Sequence, residues 1–190
     1  NVDFQPDYTR KIDDLYQAYQ FATTNALTLE NFKTAHGLLT KNILLPLQQG
    51  TFRTGNMYVL TASGKIEYVA AVPHLVNEHI NYLFDDITKL LQTDLTFAEV
   101  LYFASMIHLV FVKIHPFNDG NGRAGRLLEK WFLAAKLGSK AWFVESERFY
   151  HDNHDMYFAN IRKLGLEYEQ LNYLLAETFI LMLPKSISTK

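Results

Sequence analysis

The stretch His115-Pro116-Phe117-Asn118-Asp119-Gly120-Asn121-Gly122-Arg123-Ala124-Gly125-Arg126 sets an imidazole, a carboxylate, three glycines and two guanidiniums between two apolar segments of helical period. An imidazole titrates near neutrality and can take a proton from an incoming hydroxyl, so His115 is the candidate general base. Asp119 stands immediately before the glycine turn, where a hard carboxylate can hold a largely hydrated Mg²⁺ beside phosphates. Gly120-Asn121-Gly122 lies where a loop enters a helix, so backbone amides and the positive helix end face the same anion. Arg123 and Arg126 are three apart on that helix and share a face, each offering a fork of donors to phosphate oxygens. These types in this order describe a polyphosphate-handling site. Pro116 and Phe117 read as structural, one fixing the exit of the chain and the other anchoring the loop in the core.

Helices must position this turn. Ile12, Leu15, Tyr16 and Tyr19 recur at helical spacing, which predicts an amphipathic helix from Asp7 to about Thr23. Thr28 is placed to cap a second helix carrying Phe32, Ala35, Leu38 and Leu39. Between Gly50 and Ala71 the pattern becomes that of a β-hairpin, with Met57 to Leu60 and Ile66 to Val69 flanking a turn at Ala62-Ser63-Gly64-Lys65. Pro73 opens a helix whose apolar stripe is Val76, Ile80, Leu83 and Ile87. Thr96 caps another that runs to about Ile114, apolar on nearly every side and therefore central. After the glycine turn, Leu127, Leu128, Trp131 and Ala135 mark a helix that Gly138 ends, and two more are expected over Glu147 to Leu164 and Tyr168 to Leu183. The expected fold class is all-α: a compact helical bundle with one small β-hairpin.

Composition bounds the rest. A chain of 190 residues fits one domain, taken as 1–190 with its core at about 27–164. The formal charge of -2 gives no reason to expect a nucleic-acid or anionic-membrane partner, because such binding needs a clustered basic surface. With no cysteine, disulfides, thiolate metal sites and cysteine nucleophiles are excluded. The apolar run Val100 to Val112 is too short to span a bilayer, and the expectation is a soluble, cytoplasmic protein.

The twelve residues resemble the signature of the Fic family, H-x-F-x-[DE]-G-N-G-R-x-x-R, with every fixed position met. The likeness extends to Ile107-His108, Phe111 and Ile114 before the motif and to Leu127-Leu128 after it. It also includes Gly50-Thr51-Phe52-Arg53-Thr54 with the hairpin, which resemble the family's flap. The resemblance implies a Fic-type bundle that transfers AMP from Mg-ATP to a Ser, Thr or Tyr hydroxyl of a protein, releasing pyrophosphate. His115 would be the base, and Asp119 would hold Mg²⁺. Gly120, Asn121, Gly122, Arg123, Gly125 and Arg126 would form the phosphate-binding group. The flap, at Asn56, Met57, Tyr58 and Val59, would pair with an extended segment of the target. Asn153, Tyr157 and Phe158 resemble the family's N-R-x-x-Y-Y stretch, which implies an adenine pocket, although Phe158 keeps only the ring and the later Asn of the family is missing around Lys163 to Leu166.

Other family members carry an inhibitory helix, [ST]-x-x-x-E-[GN]. Ala26 before Glu30-Asn31, and Tyr173 and Thr178 around Glu177, break that pattern here. An inhibitory segment is therefore expected upstream, on a partner, or not at all. His151, Asp152, His154 and Asp155 could be taken for a metal cluster but read better as a solvated helix start, and His108 as a buried, hydrogen-bonded core residue. The alternatives to an adenylyltransferase are a nucleotide-binding module that docks a partner without catalysis, a variant transferring another phosphate-containing group, and a phosphate hydrolase.

Overall fold

The computed structural model describes residues 6–61 and 64–188; Ala62 and Ser63 of the expected hairpin turn lie outside the described residues. The chain opens with α1 (Pro6–Thr24) and α2 (Leu29–Leu39), which pack on each other. Thr28 caps α2 by accepting the Asn31 amide at 3.2 Å, satisfying one of the helix's orphan donors. Strands β1 (Tyr58–Leu60) and β2 (Ile66–Val69) form an antiparallel pair, with Tyr58 opposite Val69, Val59 opposite Tyr68, and an irregularity that places Leu60 opposite Ile66.

Helix α3 (Pro73–Gln92) starts on its proline, which has no amide to leave unpaired. Helix α4 (Phe97–Ile114) starts on a full capping box: Thr96 accepts from the Glu99 amide and the Glu99 carboxylate accepts from the Thr96 amide. Among the described residues α4 is long and apolar enough to cross a membrane by length and composition, beyond the shorter run read from the sequence. Its hydropathy follows from its position, because α3, α5 (Asn121–Leu137) and the C-terminal helices α8 (Glu177–Ile180) and α9 (Met182–Ser188) pack around it. Ala104, Leu109, Phe111 and Ile114 of α4 meet Leu127, Leu128, Phe132 and Leu133 of α5 in one continuous core.

The C-terminal third departs from the expected two long helices. The first is broken into α6 (Ser146–Asp152) and α7 (His154–Arg162) at Asn153, which leaves helical geometry (φ -115°, ψ 37°) and turns its side-chain amide onto the Phe149 carbonyl at 2.9 Å. Polar residues that bond their own backbone compete with the helix at such points. The second is replaced by 3₁₀ turns at Tyr168–Gln170 and Tyr173–Leu175 followed by α8 and α9. Pro184 cannot donate to the Ile180 carbonyl, which accepts instead from Ser105 Oγ of α4 at 3.2 Å.

Candidate active site

The chain leaves α4 through His115, whose left-handed backbone (φ 52°, ψ 60°) is the only positive φ of a non-glycine among the described residues. That conformation is uncommon outside glycine and disfavoured before proline, so neighbours must hold it. Arg53 does so, donating from Nε to the His115 carbonyl at 2.7 Å. The imidazole Nδ1 lies 3.3 Å from the Val112 carbonyl and 3.2 Å from the Tyr68 hydroxyl, which itself donates to that carbonyl at 2.9 Å. A carbonyl can only accept, so these partners assign the hydrogen to Nδ1 and leave the Nε2 lone pair free. Burial pushes the His115 pKa down to about 4; the Val112 carbonyl opposes the shift and Arg53 adds to it. The ring is neutral at physiological pH, with a basic nitrogen available.

Beyond His115 the loop is stapled shut. Asn121 accepts the Phe117 amide at 2.9 Å and donates to the Phe117 carbonyl at 2.8 Å, while the buried Phe117 ring stacks on His36 at 3.5 Å between centroids. The Asn121 side chain thus holds the loop, and only its backbone amide remains for an anion. Gly120 has φ 79°, and a Cβ there would come within 2.7 Å of Thr40 Cγ2, so both conformation and space require glycine. Its amide donates to Asp119 Oδ1 at 2.5 Å. No side chain caps α5, so its first-turn amides keep the free donors of a helix N-terminus.

Gly125, grouped with the phosphate-binding residues on resemblance, has a different place. A Cβ there would meet Val112, His108 and Phe111 at 3.0–3.2 Å, so its role is the close approach of α5 to α4. Gly122 contrasts with it: among the described residues, and apart from the backbone of its own helix and its chain neighbours, the nearest atom to where its Cβ would be is Arg126 Nη1 at 3.5 Å, and it lines the cleft. Half-buried Arg123 and Arg126 also line the cleft, with no hydrogen bond or ion pair to any described residue. Burial lowers the Arg123 pKa, while Asp119 works against that shift and Arg126 with it.

Two cavities share the wall formed by Val59, His115, Gly122, Arg123 and Arg126. The larger, about 660 Å³, runs beneath α6 and α7 past Tyr150, Tyr157 and Phe158, with Leu15 and Tyr19 of α1 on another side. The smaller, about 400 Å³, opens past Asn118 and Asp119 toward Met57 and Tyr58 of the flap. Tyr157 and Phe158 both line the larger cavity. Asn153 does not line either cavity, its amide being committed to Phe149, and neither does Asn56. His151 and His154 line the outer rim, and no group of three or more metal-binding side chains occurs among the described residues.

Behind the cleft, His108 is fully buried between Glu129 Oε2 (Nδ1, 2.8 Å) and the Tyr157 hydroxyl (Nε2, 3.1 Å), the core role expected for it. Tyr150 donates to the same Glu129 oxygen at 2.7 Å. Two other supports have no signature in the sequence pattern. His36 holds the Asp119 carbonyl through Nε2 at 2.9 Å and the Gly50 amide through Nδ1 at 3.0 Å, which fixes a neutral tautomer and joins α2 to the motif loop. Lys113, buried within α4, lies 4.6 Å from the Tyr68 ring centroid and donates to the Gly165 carbonyl at 3.0 Å; burial lowers its pKa to about 8.

The sequence matches the Fic/DOC family over residues 26–133, more than half of the chain. It is 32% identical over 112 residues to a protein adenylyltransferase Fic of Nematostella vectensis, an alignment covering 59% of this chain and 23% of that protein; the chain spans less than a quarter of this curated relative's length. The fold is shared with a Fic family protein of Desulfovibrio desulfuricans G20 (TM-score 0.75, 19% identity, all of this chain and 56% of that one). It is also shared with the BepC effector of Bartonella tribocorum, solved with bound AMPPNP (TM-score 0.63, 15% identity, 94% and 85% of the two chains). From its motif, its fold and this match, the chain belongs to the Fic/DOC family.

Proposed function

We propose that this protein is an adenylyltransferase that moves AMP from ATP, taken with Mg²⁺, to a Ser, Thr or Tyr hydroxyl of a target protein. The observation that carries the reading is the place of His115, on the wall common to a cavity edged by Arg123 and Arg126 and a cavity bounded by the flap. A nucleotide in the first and a hydroxyl entering by the second would meet at a neutral base. The adenylyltransferase name of the Nematostella relative and the AMPPNP bound by BepC support a nucleotide as donor.

In this reading the hydroxyl gives its proton to His115 Nε2 as its oxygen bonds to the α-phosphorus. The bond from that phosphorus to the α–β bridging oxygen breaks, and pyrophosphate leaves with the electron pair. Arg123, Arg126 and the first-turn amides of α5 stabilise charge on the phosphate oxygens by being fixed in advance, and positioning supplies much of the rate. Asp119 is exposed and is the only carboxylate on the smaller cavity, a donor set that suits a Mg²⁺ retaining water and phosphate ligands. When bound, that ion would neutralise phosphate charge. Among the described residues no packing contact requires Gly122 to lack a side chain, and the open approach it leaves suits a phosphate reaching the amides.

The test is incubation with α-labelled ATP and cell lysate. The expected result is labelled protein, with His115→Ala lowering the rate by about 10²–10⁴-fold while ATP affinity is kept. Label from γ-labelled ATP alone would indicate phosphoryl transfer, AMP release without labelled protein would indicate hydrolysis, and ATP binding with neither would indicate a docking module.

A further inference from the structure

Arg53 is 2% exposed, yet no carboxylate among the described residues pairs with it. Its guanidinium is spent on four carbonyl oxygens: His115 (2.7 Å) from Nε, Gly55 (2.7 Å) from Nη1, and Ala71 (2.5 Å) and Ile114 (3.1 Å) from Nη2. Gly55 and Ala71 are the two feet of the flap, on either side of β1 and β2. Ile114 and His115 close α4, where carbonyls lack intrahelical donors and the helix presents its negative end, a setting that stabilises a buried cation without an acid. The Arg53 backbone amide adds a bond to the Pro116 carbonyl at 2.9 Å, and Phe52 makes a β-bridge with Phe117.

We propose that Arg53 is a positioning residue of this site: one guanidinium locks both feet of the flap to the backbone of His115 and so sets the distance from the flap edge to Nε2. The inference rests on the adenylyl-transfer reading for its consequence, because a segment lying on β1 is in register with the base only if flap and base move together. Its structural part stands apart from any chemistry. A planar fork reaches carbonyls on two sides at once, whereas a lysine ammonium in the same place cannot span them. The single left-handed non-glycine residue among the described residues is one of the four whose carbonyls Arg53 holds, so that bond maintains a strained backbone where the base is aimed.

The experiment compares Arg53→Lys, which keeps the charge, with the unaltered protein by three measurements. Hydrogen exchange should show the flap amides Thr61 and Ala70 losing protection by at least about tenfold while those of α4 and α5 are unchanged. Calorimetry should give an ATP affinity within about threefold of the original. AMP transfer to a protein target should fall at least about tenfold, with ATP KM unmoved. A residue that merely stabilises the fold would lower α4 protection and ATP affinity in step with transfer, and that result, or an unchanged flap, overturns the proposal. If the unaltered protein transfers no AMP, the functional reading fails while flap exchange still decides the role of Arg53. Should the variant not fold, exchange in the unaltered protein decides: Arg53 and Ala70 amides opening together with α4 support the lock, and opening independently of it refutes the lock.

Discussion

The two ends of the cleft are built differently. The motif end is tied at several points: His115 through Arg53, Tyr68 and Val112, the loop through Asn121 and His36, and Gly120 through packing that leaves no room for a side chain. At the α6–α7 end the rim is loose. Arg148 is 75% exposed and reaches Glu145 and Asp152 only at 3.8 and 3.6 Å, and His151 and His154 are exposed beside their own neighbours Asp152 and Asp155. In the proposed reaction, this difference would give fixed geometry to the groups that meet the phosphates and the hydroxyl, where charge develops, and less to the outer rim.

Gly120→Ala should break the motif end most severely. The positive φ and the 2.7 Å approach to Thr40 together cost about 2–4 kcal/mol, lowering Tm by roughly 5–15 °C in a thermal melt. A melt unchanged within error would show that the α2 contact gives way freely.

Acid should come next. Burial lowers the His36 pKa to about 4, the Asp119 carbonyl opposing it and Arg123 assisting, and His115 is lowered to the same value. A folded pKa below the unfolded value of about 6.5 means that the stability is complete above pH 6.5 and is lost as pH falls toward 4. For fully buried His36 the loss is about 3 kcal/mol, since its Nδ1 must then abandon the Gly50 amide. Denaturant melts of His36→Gln between pH 7 and pH 4 should show a shallower acid slope than the unaltered protein, and equal slopes would remove His36 from the account. The smallest effect belongs to the rim: Arg148→Ala should change stability by less than about 0.5 kcal/mol and ATP affinity by less than about threefold. A larger loss of affinity would show that the rim reads the nucleotide.

The same contrast governs what the sequence reveals. Thr28, Pro73, Thr96 and Gly138 mark helix ends through local chemistry, and all four stand at those ends. The motif is legible because its residues are contiguous. His36 acts on the Asp119 carbonyl 83 positions away and Arg53 on the His115 carbonyl 62 positions away, and backbone acceptors leave no trace in a side-chain pattern. The break at Asn153 had a signal in the run Asp152-Asn153-His154-Asp155, whose side chains favour local backbone bonds, but helical spacing on both sides masks it. The break before α9 depends on Pro184 together with a serine from α4, a pairing that periodicity does not show.

The most direct test of the central claim is mass spectrometry of lysate proteins after incubation with ATP, Mg²⁺ and either this protein or His115→Ala. The account predicts Ser, Thr or Tyr residues carrying the mass of an adenylyl group with the unaltered protein and none above background with the variant. Adducts of phosphoryl mass, or adenylyl adducts formed equally by both proteins, would contradict it.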